Sequence, residues 1–242
     1  HKILYKQIDK VIVAGKNSAR DLLLTHPISE SQVALLPYGL DTHRFDNITD
    51  HRKKFSIQEN DLFLGVFARI DRQKGIKELL LAIQSLISEG LSIKALFMGD
   101  KTIGDPDAVA YQNEIQEIMK DEVLQKNVTF KGFQRDYLGY VNSVDLMVLP
   151  SYKETYALTI LDAFYLKKPV LSTNAGGTPE LVSTERGWLA LPKSTPSLAE
   201  KLKEIYAQKQ TLQTKGQNAH DYICKNHVFS AVLTKLEEIY TQ

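Results

Sequence analysis

Between Val11 and Thr173, short apolar runs of strand character alternate with helical patterns, and this alternation restricts the fold more than any other feature of the chain. The runs are VIVA (11–14), VALLP (33–37), LFLGVF (62–67), IKALFMG (93–99), VTFKG (128–132), LMVLP (146–150) and PVLST (169–173). They are nearly continuous in apolar residues, as strands are when helices cover both faces of a parallel sheet. In KGIKELLLAIQSL, Ile76, Leu79, Leu80, Ile83 and Leu86 share one helical face. The pattern predicts an α/β fold with a doubly wound, Rossmann-like parallel sheet and a purely helical segment from about Pro196 onward. Residues 37–61 are polar and irregular and read as a linker or hinge.

A chain of 242 residues that is 43% hydrophobic can bury a substantial core. Thirty basic against 29 acidic residues leave a formal charge of +1, so no global attraction draws it to nucleic acid or an acidic lipid surface. The single cysteine, Cys224, excludes an intramolecular disulfide framework and a cysteine-rich zinc site. The six histidines show no metal-ligand spacing and read as surface or capping residues. The chain opens on His1 in mid-pattern, so it reads as a piece of a longer protein.

A doubly wound sheet seats its ligand beyond the carboxyl ends of its strands, so the loops there are where chemistry is expected. In ARIDRQKGI, Arg69 follows a strand and Lys74 stands at a helix entrance. A guanidinium grips phosphate oxygens in pairs, an ammonium adds a point charge, and the helix start near Gly75 adds free amides. Chance placement of cations in loops is the rival reading. In SYKETYALTILDAF, Glu154 precedes a helical segment and Asp162 lies two turns along it, at the edge of the Leu158–Leu161–Tyr165 stripe. Carboxylates accept hydrogen bonds, which suits vicinal sugar hydroxyls. A helix-dipole acid followed by a solvated one explains the pair equally well. Gly176 and Gly177 make a tight loop at the crevice rim, or permit close approach to a ligand. VIVAGKNS lacks the first glycine of a phosphate loop, so Ser18 reads as a helix N-terminal residue.

Five stretches in order, PYGLDTHRF, GVFARIDRQKGIKELLLAI, NVTFKGF, VDLMVLPSYKETYALTILDAFYLKKPV and NAGGTPELV, resemble the C-terminal half of GT-B-type retaining glycosyltransferases (glycosyl transferases group 1). The resemblance implies that Arg69 and Lys74 hold the donor diphosphate and that Glu154 contacts the donor sugar, these three being the catalytic candidates. It implies donor contacts from Gly99, from Lys131, Gly132 and Phe133 facing the base, from Thr155, Tyr156, Ala157 and Leu158, and from Asp162 at the ribose. Three positions depart from the family pattern: Asp162 is one methylene shorter than the usual Glu, and Ala68 and Lys168 replace common glycines.

The resemblance further implies residues 1–36 as the remnant of an N-terminal acceptor domain, 37–61 as linker, 62–228 as the nucleotide-sugar-binding domain and 229–242 as a crossing helix. The implied reaction is metal-independent transfer of a hexose from a nucleoside-diphosphate sugar, a UDP-sugar by prior, with no cofactor. Its partners would be the donor, the missing acceptor domain and a sugar or lipid-linked acceptor, with no nucleic acid. The implied setting is the cytoplasm, with membrane association through the parent protein. By itself the piece would bind donor and transfer nothing. The competing readings are a sugar-nucleotide epimerase on the same fold and a non-catalytic nucleotide-binding or interaction domain.

Overall fold

The computed structural model describes residues 7–100 and 106–241, so the first six residues of the stretch 1–36 and the last of 229–242 lie outside them. The chain begins with β1 (Val11–Val13), α1 (Lys16–Thr25) and β2 (Val33–Leu35); β1 and β2 pair in parallel as a two-stranded sheet of their own. Then come β3 (Leu62–Phe67), α2 (Ile76–Ser88), β4 (Ile93–Met98), α3 (Pro106–Ile118), α4 (Glu122–Asn127) and β5 (Val128–Lys131). The second half adds α5 (Tyr137–Ser143), β6 (Leu146–Leu149), α6 (Leu158–Tyr165), β7 (Val170–Thr173), α7 (Thr178–Leu181) and β8 (Gly187–Ala190). Helices α8 (Thr195–Ala207), α9 (Leu212–Asn226) and α10 (Phe229–Thr241) close the chain.

The six long-range strands form one parallel sheet in the order β5-β4-β3-β6-β7-β8. Strand β3 is buried along its whole length and alternates its side chains between two cores. Leu62, Leu64 and Val66 meet Leu79, Leu80 and Ile83 of α2 and Leu202 of α8 on one face. Phe63 and Phe67 meet Val141 of α5, Ile160 and Phe164 of α6 and Ile223 of α9 on the other. Each fully buried Leu, Ile or Phe here contributes about 1.5–3 kcal/mol of apolar burial. The order reverses between β3 and β6, because β4 and β5 lie on one side of β3 and β6 to β8 on the other. That reversal opens a crevice between the loops that follow β3 and β6.

The stretch 37–61 is not slack. Arg52 pairs with Asp145 at 2.8 Å, the His51 amide donates to Ser143 at 2.6 Å, and Phe55 packs on Phe63. The Leu40 amide donates to the His227 carbonyl at 2.6 Å, beside the start of α10. Sequence periodicity cannot register contacts to residues about ninety positions away. The same limit explains the histidines, two of which are buried: His51, with Nε2 2.6 Å from Asp136, and His227. Helix α1 starts at Lys16, two residues before Ser18, and its cap comes from elsewhere in the chain. The Glu180 carboxylate accepts the amides of Lys16 at 2.7 Å and Asn17 at 2.8 Å, filling the orphan donors of the first turn with a full negative charge. No helix of the described residues is long and apolar enough to cross a membrane.

Candidate functional site

At the reversal of the sheet, the loops after β3 and β6 face each other and are stitched together. The Tyr152 amide donates to the Gln73 carbonyl at 2.7 Å, and Lys74 Nζ meets Glu154 Oε1 at 2.5 Å. Both side chains of that pair are largely covered, at 19% and 12% exposure. Arg69, two residues beyond β3, is mostly exposed, with Nη2 3.3 Å from Asp71. The three catalytic candidates thus come from the two loops that flank the crevice. The head of α2 offers fewer free amides than its sequence suggests, since the Lys77 amide already donates to the Tyr111 hydroxyl at 2.9 Å.

A cavity of about 380 Å³ opens over the carboxyl ends of β3 and β4; Arg69 lines it, and Lys74 and Glu154 do not. Phe67, Met98 and Phe133 supply apolar surface, and Ala68 and Gly99 bring backbone close. Gly99 has φ 153, and a Cβ there would stand 2.0 Å from the Ala68 carbonyl oxygen, so only glycine lets the two strand ends approach. The polar side chains on the wall are Arg69, Asp100, Tyr137 and Thr159. Asp100 accepts the Phe133 amide at 3.2 Å and so fixes the loop after β5. Lys131 does not turn its side chain into this cavity. Its ammonium lies 5.8 Å from the Tyr140 ring centroid, on the wall of a separate depression, and only its carbonyl serves the site, accepting the Gly99 amide at 3.1 Å.

The segment 155–158 departs from expectation. Helix α6 begins at Leu158, not Thr155, and Ala157 is extended. Thr155 and Leu158 are exposed, Ala157 is buried, and Tyr156 turns away to pack edge-on against Tyr38 and beside His227. The Gly176–Gly177 loop supports this segment from behind. The Gly177 amide donates to the Glu154 carbonyl at 3.0 Å, and a Cβ on Gly176 would lie 1.7 Å from that same oxygen. The close approach these glycines permit is to the chain's own backbone.

Asp162 does not sit at an accessible edge of α6. The helix packs against α9 and α5, so Ile160 to Phe164 are all buried while Leu158 is 52% exposed. Asp162 is 3% exposed, and its oxygens are engaged by Arg44 Nη1 at 3.2 Å and Nη2 at 3.5 Å and by the Tyr137 hydroxyl, with Arg44 Nη2 also 2.9 Å from that hydroxyl. Burial lifts the Asp162 carboxyl above the usual carboxylate range; Tyr137 and Arg44 pull it back, and burial prevails. Burial, then the neighbouring Asp162, push the Tyr137 phenol up, so its proton stays on at neutral pH. Burial works against the Arg44 charge, but Asp162 and Tyr137 outweigh it and hold the guanidinium's pKa above its ordinary value. Arg44 and Tyr137 were missed in the sequence because one lies in the polar stretch and the other reads as a helix residue. The pointer to Tyr137 is topological: it opens the helix that follows the carboxyl end of β5.

Comparison with known proteins gives this arrangement relatives. The family model described as glycosyl transferases group 1 matches residues 47–222. Over 238 residues the chain is 22% identical to the capsular polysaccharide biosynthesis glycosyltransferase CapM of Staphylococcus aureus, covering 95% of this chain and 60% of CapM. The crystal structure of HepE from Anabaena in complex with UDP-glucose matches with a TM-score of 0.80 at 22% identity, over 97% of this chain and 64% of that one. The C-terminal domain of LpcC, a glycosyl transferase group 1 family protein from Francisella tularensis, matches with a TM-score of 0.62 at 24% identity, over 79% of this chain and 96% of that domain. The chain spans about half the length of the curated relatives it matches.

Proposed function

The chain belongs to the glycosyl transferases group 1 family, and from that premise we propose that it is the donor half of a metal-independent, retaining hexosyltransferase. Its fold is that of the C-terminal, Rossmann-like domain of GT-B glycosyltransferases. The observations that carry the functional reading are the Lys74–Glu154 pair across the sheet reversal and an apolar-walled cavity, lined by Arg69, over the carboxyl ends of β3 and β4. A nucleoside diphosphate spans those two features, with its base against Phe133 and the carboxyl ends of β3 and β4, and its diphosphate at Arg69 and Lys74. HepE, with UDP-glucose bound, supports a UDP-sugar as the donor.

Breaking the bond between sugar and diphosphate builds negative charge on the departing β-phosphate oxygen. Arg69 and Lys74 stabilise that charge more in the transition state than in the ground state, which lowers the barrier. Glu154, released from Lys74 as the phosphate takes its place, accepts hydrogen bonds from the donor sugar's hydroxyls. We assign residues 1–36 to the end of an acceptor domain, 62–228 to donor binding and 229–242 to a helix crossing between them; this chain alone binds donor without transferring it. Calorimetry with UDP, GDP and ADP tests the reading. Arg69→Ala and Lys74→Ala each remove a charge-assisted contact and weaken UDP binding about ten- to a hundredfold, and EDTA leaves the affinity unchanged. Absence of binding to all three nucleotides sinks the reading and favours a scaffold that has lost its ligand.

A further inference from the structure

The expected sugar-facing acid of α6 is out of reach of the cavity, and the structure shows what stands in front of it. Neither Asp162 nor Arg44 lines the cavity; Tyr137 does. Its phenol belongs to a cluster of three side chains that joins the polar stretch before β3 to α5 and α6. Of the polar groups on the cavity wall, Tyr137 is held from behind by both members of an ion pair.

Counting donors and acceptors fixes what that phenol can still do. A tyrosine hydroxyl has one proton to give and two lone pairs. The proton goes to Asp162, and one lone pair accepts from Arg44 Nη2 at 2.9 Å. One lone pair is left, on a residue that lines the cavity. Asp162 also retains unused acceptor capacity, but at 3% exposure it faces protein. An acceptor whose own proton is committed inward discriminates: it welcomes a hydroxyl and gains nothing from a hydrogen in its place.

We propose that Tyr137, not Asp162, is the residue that reads the ribose of the bound nucleotide, with Arg44 and Asp162 behind it as positioning residues. The inference rests on the donor-site reading above and deepens it. A ribose lies between a base at Phe133 and a diphosphate at Lys74, and Tyr137 lies on the cavity wall with Phe133. The shorter acid fits this role. One methylene fewer leaves the carboxylate beneath the wall, where it serves as a fixed acceptor for the phenol. Arg44 neutralises part of its charge and keeps the phenol's lone pair directed.

The test separates the hydroxyl from the rest of the ligand. Calorimetry compares UDP, 2′-deoxy-UDP and 3′-deoxy-UDP on the wild-type chain, on Tyr137→Phe and on Arg44→Gln, with thermal unfolding as the folding control. The wild type should prefer UDP to at least one deoxy analogue by about tenfold. In Tyr137→Phe that preference should collapse toward unity while affinity for the analogue stays at its wild-type value, a pattern that general loosening of the fold does not give. Arg44→Gln should reduce the preference in part. If Tyr137→Phe keeps the wild-type preference, or the wild type shows none, the inference is wrong while nucleotide binding stands. If the wild type binds none of UDP, GDP and ADP, the donor-site reading fails and takes the inference with it.

Discussion

Glu154 and Asp162 lie eight residues apart on one loop-helix segment and have opposite fates. Glu154 stays on the loop, where its carboxylate pairs with a lysine from the facing loop. Asp162 lies on a helix with packed neighbours on several sides, so its carboxylate is enclosed and satisfied by an arginine and a tyrosine. The difference is one of replaceable against permanent partners. A lysine at the mouth of a crevice can exchange its carboxylate for a phosphate. A buried carboxylate that loses its partners faces the full cost of desolvation, so its contacts are structural first.

The largest effect is expected where the loop side of this comparison is broken outright. Gly176→Ala places a Cβ 1.7 Å from the Glu154 carbonyl oxygen on a residue with φ 56. Strain and displacement together should cost about 3 kcal/mol or more, read as a lowered urea midpoint, and UDP affinity should fall because Glu154 and Lys74 lose register. A stable Gly176→Ala variant with unchanged affinity would show that the glycine loop does not set the position of Glu154.

Next comes the matched pair Asp162→Asn and Glu154→Gln. Asp162→Asn turns amide protons toward Arg44 in a buried site and should cost about 2–3 kcal/mol, whereas Glu154→Gln should cost about 1 kcal/mol. Thermal unfolding of the two variants side by side checks the ranking, and a reversed order would overturn the contrast drawn between them.

The smallest effect sharpens the loop side through pH. Tyr156, on the Glu154 loop, packs beside His227, whose ring also meets Tyr222 and whose Nδ1 is 3.1 Å from the Tyr38 carbonyl. Burial holds the His227 pKa below its ordinary value; the hydrogen bond to Tyr38 opposes this, and Lys235 and Arg186 reinforce it. A depressed histidine is neutral when folded, so the unfolded chain takes up the proton first. The stabilisation is complete above about pH 6.5 and is lost as pH falls below it, by at most about 1.4 kcal/mol per pH unit. His227→Gln should flatten that part of the curve, measured as the difference from wild type in unfolding midpoint between pH 7.5 and 5.5.

The sheet was legible because a strand buried on both faces must be apolar throughout: LFLGVF gives β3 to the residue, five of the other six runs match to within one residue at either end, and VALLP overruns β2 by two. Arg69, Lys74 and Glu154 could be singled out because each follows a strand by a few positions, and topology brings such loops together. Asp162 was misplaced because α6 is covered on several sides, and a helix of that kind has no polar stripe by which to orient an acid. The engagement of Asp162 by Arg44, 118 residues earlier, leaves no local trace in the sequence. Nor does the cap that Glu180 places on α1, 164 residues away.

That cap joins two parts of the molecule mechanically. From Glu180 to Gly176 is only five residues, and Gly176 and Gly177 rest on the backbone of Glu154 and Thr155. A tilt of the first helix would therefore pull on the carboxylate that grips it, and the pull would reach the Glu154 loop through little more than one helical turn. The posture of the leading β1–α1–β2 unit and the position of the Glu154 backbone are thus tied to one short run of chain, braced at both of its ends.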